Sequence, residues 1–381
     1  MVGKWHLGLG NGKINWNDSI SPGPNQIGFD YSFIIPATTD RVPTVFVENG
    51  RVPDLDPRDP IRVRYDSIIG DEPTGLSHPE LLKMGADGQH SNTITNGISR
   101  IGYMTGGKAA RWVDEDIADI LTNKAKAFIQ ANRSKPFFLY FSIPDIHVPR
   151  APHSRFAGST SMGRRGDVIT EMDWMTGEIM KTLEQLGISK NTLIIFSSDN
   201  GPVLNDGYYD KAEELVGNHK PSGKYRGGKY SAYEAGTRVP TITCWPGVIA
   251  PRESNVAVSQ IDIVASLASL VGQPLPEKYR FDSQNSLEIL LGESDKGHEY
   301  LLEESYTFSL RHKQWKYISP LATETPAWLK NKKIETGLAD LPQLYDLRDD
   351  PEERNNLADI YPEQLKKLEK KLNEIKSENS D

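Results

Sequence analysis

Eight side chains in this 381-residue sequence stand where their chemistry would be useful. Asp199, Asn200 and Gly201 form a "DNG" run directly after the apolar stretch "TLIIFSS". Its simplest reading is a turn, because Asn-Gly is favourable turn chemistry. The alternative is a carboxylate and an amide presented as hard oxygen ligands to Ca²⁺ or Mg²⁺. His147 follows a second apolar run, in "FFLYFSIPDIHVPR", beside Asp145 and Arg150. Lys229 sits in "RGGKYSAYEAGTRVP", where two glycines permit close backbone approach, and Arg226 heads that stretch. Lys4 and His6 belong to the opening "MVGKWHLGLG", and His219 lies in the polar loop "GNHKPSG". Any one of these reads equally well as a structural histidine, a surface lysine or a plain polar loop. Together, two lysines, two histidines and an Asp-Asn pair at strand–loop junctions suggest a site for a tetrahedral oxyanion beside a divalent cation.

The elements around them read as α/β. "RWVDEDIADILTNKAKAFIQANRS" carries Trp112, Val113, Ile117, Ile120, Leu121, Phe128 and Ile129 at helical spacing. "KPFFLYFSIPD" then predicts a buried strand. A second helix follows on Val168, Met172, Met175, Ile179, Leu183 and Leu186 and stops at Gly187. "TLIIFSSDNGP" predicts a second buried strand, and "RVPTITCW" a third before the helical "VSQIDIVASLASLVG". Alternation of this kind predicts a largely parallel sheet, whose strand ends are where functional groups collect. Residues 11–110, rich in Gly, Pro, Asn and Asp, predict loops and short strands such as "YSFII" and "TVFVE". Beyond about residue 285, "YLLEESYTFSLRHKQWKYIS" predicts antiparallel strands. "PEQLKKLEKKLNEIKSE" predicts an amphipathic terminal helix on Leu365, Leu368, Leu372 and Ile375. The expected division is 1–285 and 286–381, the second part a small α+β subdomain.

Composition narrows the class. The net charge is 44 − 52 = −8, which favours neither nucleic acid nor an anionic membrane. No apolar stretch is long enough to span a bilayer. Residues 1–20 show no basic start followed by an apolar block, so no export signal is read there and the compartment stays open. The single cysteine, Cys244, rules out an intrachain disulfide and predicts a buried strand residue.

The assembled motifs resemble the sulfatase family of the alkaline-phosphatase-like superfamily. "VGKWHLG" is similar to that family's second signature, and "HVPRAPH", "SSDNGP" and "GGKYSAYEAGTRVP" to its later blocks, in the expected order. "WKYI" and "LYDLRDDPEERNNLA" are similar to its C-terminal subdomain. The resemblance implies a three-layer sandwich around a mostly parallel central sheet. It implies that Lys4 contacts the sulfate and the nucleophile, that His6 helps break down an enzyme–sulfate intermediate, and that His147 and Lys229 hold sulfate oxygens. It further implies that Asp199 and Asn200 bind calcium (or magnesium). His219, with Arg226, would face the substrate, a sulfate ester such as that of a carbohydrate.

Family members also carry, upstream of "GKWHLG", a strand ending in adjacent aspartates and a C/S-x-P-x-R whose first residue becomes formylglycine. Ser77, Ser134, Ser142 and Cys244 each precede a proline by two places, but Leu81, Phe138, Ile146 and Val248 stand where the arginine is needed. The expectation is a sulfatase catalytic domain lacking its N-terminal strand, poorly soluble and inactive alone. Two alternatives remain: a non-catalytic remnant that binds sulfated glycans, and a phosphoesterase or phosphonate hydrolase of the same superfamily.

Overall fold

The computed structural model describes residues 1–273, 275–276, 282–321, 323–330 and 332–378. They form two compact units, Met1–Ser189 with Leu204–His219, and Lys190–Val203 with Lys220–Asp381.

The first unit is built on a four-stranded sheet. β1 (Val2–Lys4) lies between β2 (Phe33–Ile35) and β8 (Phe141–Ser142), parallel to both. β3 (Val47–Glu48) closes the far side of β2, antiparallel. β2 is apolar throughout and buried because both faces of the sheet are covered there. Val2, Phe33 and Ile35 pack into one cluster with Trp112, Ile117, Leu121, Ala125 and Met175. Met1 and Ile34 face the other way, among Trp5, Trp16, Ile20, Val45 and Ile61. The alternation along β2 is the period-two geometry of a strand. Gly3 sits at φ 109°, and a Cβ there would stand 2.0 Å from the carbonyl oxygen of Ser142. Only glycine lets β1 and β8 approach this closely.

Two helices cover one face. α1 (Ile117–Asn132) buries Ile117, Ala118, Leu121, Ala125 and Ile129. It begins later than the apolar period suggested: Val113 is exposed, and a 3₁₀ turn, Asp114–Asp116, intervenes. α2 (Gly163–Gln185) buries Val168, Met175 and Leu183 and ends where Gly187, at φ 71°, donates to the carbonyl of Glu184. The loops and short strands predicted over 11–110 are present. β4 (Arg62–Arg64) pairs with β7 (Tyr103–Thr105), and β5 (Ile94–Thr95) with β6 (Ile98–Ser99).

The second unit holds β9 (Ile194–Ser197) and β10 (Thr241–Cys244), which pair with each other antiparallel. This corrects the sequence reading of β9 as a buried strand of the parallel sheet: all four of its residues are only half-buried. An apolar run reveals a strand but neither its partner nor its direction. Cys244 is likewise half-buried. The antiparallel strands predicted near the end of the chain are β11 (Leu301–Ser305), β12 (Thr307–His312) and β13 (Trp315–Ile318); β14 (Gln343–Asp346) joins them, all four paired in chain order. The terminal helix Pro362–Glu378 lays Leu368 and Leu372 on Leu310, Tyr317 and Leu344 of that sheet.

Candidate active site

In the first unit the carboxyl ends of three neighbouring parallel strands carry chemistry, as open α/β sheets favour. Lys4 ends β1. His6 follows at φ 54°, its amide donating to the Pro36 carbonyl at 3.2 Å. His147 lies in the loop after β8. Its Nδ1 is 2.7 Å from the Val148 carbonyl oxygen. A carbonyl only accepts, so Nδ1 carries the hydrogen. Arg150 fixes this loop from within: it is fully buried and donates to the carbonyls of Ile146 (3.1 Å) and Leu204 (2.9 Å) and to Asp210 (2.7 Å). A buried charge so completely paired is an anchor.

A third strand end brings in residues the sequence reading did not single out. Asp40, five positions beyond β2, is buried and accepts from Thr38 Oγ1. His90 Nε2 lies 3.5 Å from Asp40 Oδ2, and His90 Nδ1 lies 2.6 Å from Asp87 Oδ1. Burial opposes the charge on Asp40. The His90 hydrogen bond, the charge of His147, the Thr38 hydroxyl and Arg41 outweigh it and hold this carboxyl below the usual range. Burial likewise opposes the charge on His90, but its bonds to Asp40 and Asp87 raise its pKa. Asp40 is set in place by Arg100, which donates to the Thr39 carbonyl at 2.6 Å and pairs with Asp114 in full burial. The only local signal was an aspartate at a strand's carboxyl end; its histidine partner lies fifty residues away.

Asp145 and Glu171 form a second cluster, both lining a cavity of about 20 Å³. Burial and then the Glu171 charge push Asp145 well above the carboxylate range; burial raises Glu171 to about 7. His219 is exposed at the end of the first unit, its amide donating to Val216.

In the second unit, the loop after β9 and the lysine loop meet. The amide of Lys229 donates to the Pro202 carbonyl at 2.9 Å, and that of Gly201 to Gly236 at 2.9 Å. A Cβ on Gly228 would lie 2.4 Å from the Pro202 oxygen. The structure thus brings Asp199, Asn200 and Lys229 onto adjoining loops. Asn200 donates its Nδ2 to the Gly201 carbonyl at 2.9 Å, which leaves Oδ1 with acceptor capacity. Asp199 is exposed. Arg226 is engaged by Glu335 (2.8 Å) and the Glu353 carbonyl (2.7 Å), and lies over the Tyr233 ring. Below the loops, Glu234 is buried and accepts from Lys316 (3.1 Å) and Arg238 (3.2 Å). Lys316, itself fully buried, also pairs with Glu303 and Glu353. That network explains the acidic residue of "YEAGTRVP" as a structural anchor.

Asp199 and Asn200 offer the hard oxygens that calcium or magnesium prefers, but only two donors of the six or more such ions usually take. Among the described residues, no group of three or more His, Cys, Asp or Glu side chains could hold a metal ion. The pair fits part of a hard-cation site.

A mixed α/β chain whose central sheet is mostly parallel, with lysines and histidines at its strand ends, has the alkaline-phosphatase-like fold. The Sulfatase family model matches residues 1–273, and the model described as N-sulphoglucosamine sulphohydrolase, C-terminal, matches residues 227–378. The chain is 54% identical over 380 residues to an N-acetylgalactosamine-6-O-sulfatase of Bacteroides thetaiotaomicron, covering 99% of this chain and 74% of that protein. It is 36% identical over 187 residues to rat steryl-sulfatase, covering 48% of this chain and 31% of that one. A solved structure concerned with the metabolism of multiple glycosaminoglycans by B. thetaiotaomicron superposes with a TM-score of 0.96 at 53% identity, covering 99% of this chain and 78% of that one. The chain belongs to the sulfatase family, the sulfuric ester hydrolases.

Proposed function

We propose that this chain supplies most of the site of a carbohydrate sulfatase that removes 6-O-sulfate from N-acetylgalactosamine-type sugars. The observation that carries the reading is the 54% identity, over 99% of the chain, to a protein of that specificity. Lys4, His147 and Lys229 would bind the sulfate oxygens. Hydrolysis leaves negative charge on the SO₃ group and on the departing oxygen, and fixed cationic donors stabilise such charge. His147, with Nδ1 held by Val148, would turn Nε2 to the ester, where a proton can be given to the leaving alcohol. His6 would serve as the base in the second half of the reaction. Asp199 and Asn200 would contribute two ligands to calcium or magnesium, which when bound adds charge stabilisation at the sulfate. The chain holds no C/S-x-P-x-R, so no step through formylglycine is assigned to its residues. His219 is proposed as a sugar contact. Arg226 would act on the saccharide through the lysine loop that it anchors. We keep 1–285 and 286–381 as the proposed functional division.

The test is expression from the gene together with the DNA upstream of Met1. The product is incubated with 6-O-sulfated N-acetylgalactosamine, aryl sulfate and aryl phosphate, and released anion is read by ion chromatography. Sulfate release from the sugar is expected. Phosphate release without sulfate release would favour the phosphoesterase reading. Glycan binding with no release of either anion would favour the remnant.

A further inference from the structure

Two tyrosines of the second unit occupy backbone that bulky side chains avoid, Tyr230 at φ 74° and Tyr306 at φ 60°. Both present their rings to one tryptophan. The centroid of Tyr230 lies 5.1 Å from that of Trp328, edge to face, and the centroid of Tyr306 lies 6.3 Å from it, tilted. The three rings come from three separate segments. Tyr306 is the single residue turning β11 into β12, where Ser305 pairs with Thr307. Trp328 sits in the short helix Ala327–Lys330. Tyr230 follows Lys229, whose ammonium stands 5.0 Å from the Tyr230 ring and acts electrostatically on the Tyr306 hydroxyl. The chain just after Trp328 is tied to the lysine loop: Ser231 Oγ donates to the Glu335 carbonyl, and the Ala232 amide to that of Thr336.

Despite this convergence the cluster is not buried. Tyr306 remains 44% exposed and Trp328 39%. Unfavourable backbone at two positions, used to gather aromatic rings that then face solvent, is a cost that folding alone does not require. Aromatic faces with a polar rim and an adjacent cation suit a ligand with an apolar face and an anionic group. A sulfated sugar has both: the C–H bonds of its ring present an apolar face, and the ester is the anion.

We infer that Trp328 and Tyr306 form a stacking platform for a sugar ring of a sulfated saccharide, beside the sulfate-binding Lys229, and so select glycans over small sulfate esters. This rests on the sulfatase reading of Lys229. The platform contributes to recognition of the saccharide and not to binding of the sulfate group itself.

The test is titration calorimetry of the 381-residue chain with a tetrasaccharide containing 6-O-sulfated N-acetylgalactosamine and, separately, with inorganic sulfate. Trp328→Ala is expected to weaken tetrasaccharide binding about tenfold, to leave sulfate binding unchanged, and to be largely rescued by Trp328→Phe. Tyr306→Gly removes a ring and relieves the left-handed backbone. It is therefore expected to lose saccharide affinity while its melting temperature holds or rises. Unchanged tetrasaccharide affinity in Trp328→Ala and Tyr306→Gly would overturn the platform and leave the sulfatase reading standing. So would a Trp328→Ala variant that loses sulfate and saccharide together with its thermal stability, which would mark a structural role. A parent chain that binds sulfate but not the tetrasaccharide would overturn the platform and leave the sulfatase reading standing.

Discussion

His147 Nδ1 lies 2.7 Å from the carbonyl oxygen of Val148, so this imidazole is held by the backbone of the residue after it. The contact fixes which nitrogen carries the hydrogen. Replacing His147 with Ala is expected to weaken inorganic sulfate binding about ten- to hundredfold, the weight of a hydrogen bond to a charged group. The loop should survive, because Arg150 anchors it through Ile146, Leu204 and Asp210. Calorimetry and a thermal melt together decide the matter. Unchanged sulfate affinity in a folded variant would remove His147 from the site.

Asp40 and His90 are both buried, and each shifts the other toward its charged form. The signs are opposite. The depressed carboxyl of Asp40 contributes stability that is present above its unfolded pKa of about 3.9 and is lost as pH falls. The raised imidazole of His90 contributes stability that is present below its unfolded pKa of about 6.5 and is lost as pH rises. The pair should therefore matter most between about pH 4 and 6.5. Asp40→Asn is expected to cost about 2 kcal/mol in that window and less at either side. Urea melts across the pH range measure this, and a cost independent of pH would contradict the assignment.

The Asp145–Glu171 pair predicts a loss of stability as pH rises from the acidic range to neutrality. Burial raises Glu171 to about 7, with Asp145, Asp119, Arg155 and the His153 amide as its other influences. A carboxyl with a raised folded pKa gives its full stability below the unfolded value and loses it as pH climbs through the folded one. Between about pH 4.5 and 7 the chain should lose at most about 3 kcal/mol from this group. Glu171→Gln cannot ionise and should flatten that slope in urea melts. A variant whose pH dependence matches the parent's would place the shift elsewhere.

What the sequence made legible was mostly local. α1, α2, the terminal helix and the β11–β14 strands follow from apolar periods of 3.6 and 2 that any window of ten residues displays. The loops bearing Lys4, His147 and Lys229 were found because glycines and prolines punctuate the ends of apolar runs. Pairings between distant segments were not legible. β9 reads as one more strand of the parallel sheet, yet its partner is β10, antiparallel. Asp40 gains its character from His90, and Glu234 from Lys316, across 50 and 82 residues. No periodicity encodes such contacts. The glutamate of "YEAGTRVP" carries no local signal of its role, and only the buried lysine beneath it reveals an anchor.

Gly3 joins sheet construction to the site, since it is the residue before Lys4 and the point where β1 touches β8. At φ 109° an L side chain is strained, and a Cβ would in addition sit 2.0 Å from the Ser142 oxygen. Gly3→Ala is expected to cost more than about 2 kcal/mol, because strain and clash act together. Gly12 separates the two contributions: its φ is 75°, but nothing lies within 4 Å of a Cβ there. Gly12→Ala should cost only the backbone strain, about 1 kcal/mol. If β1 must seat against β8 to present Lys4, sulfate affinity should fall in Gly3→Ala and hold in Gly12→Ala, measured where both variants are still folded. Equal sulfate binding in the two would separate the position of Lys4 from the β1–β8 contact.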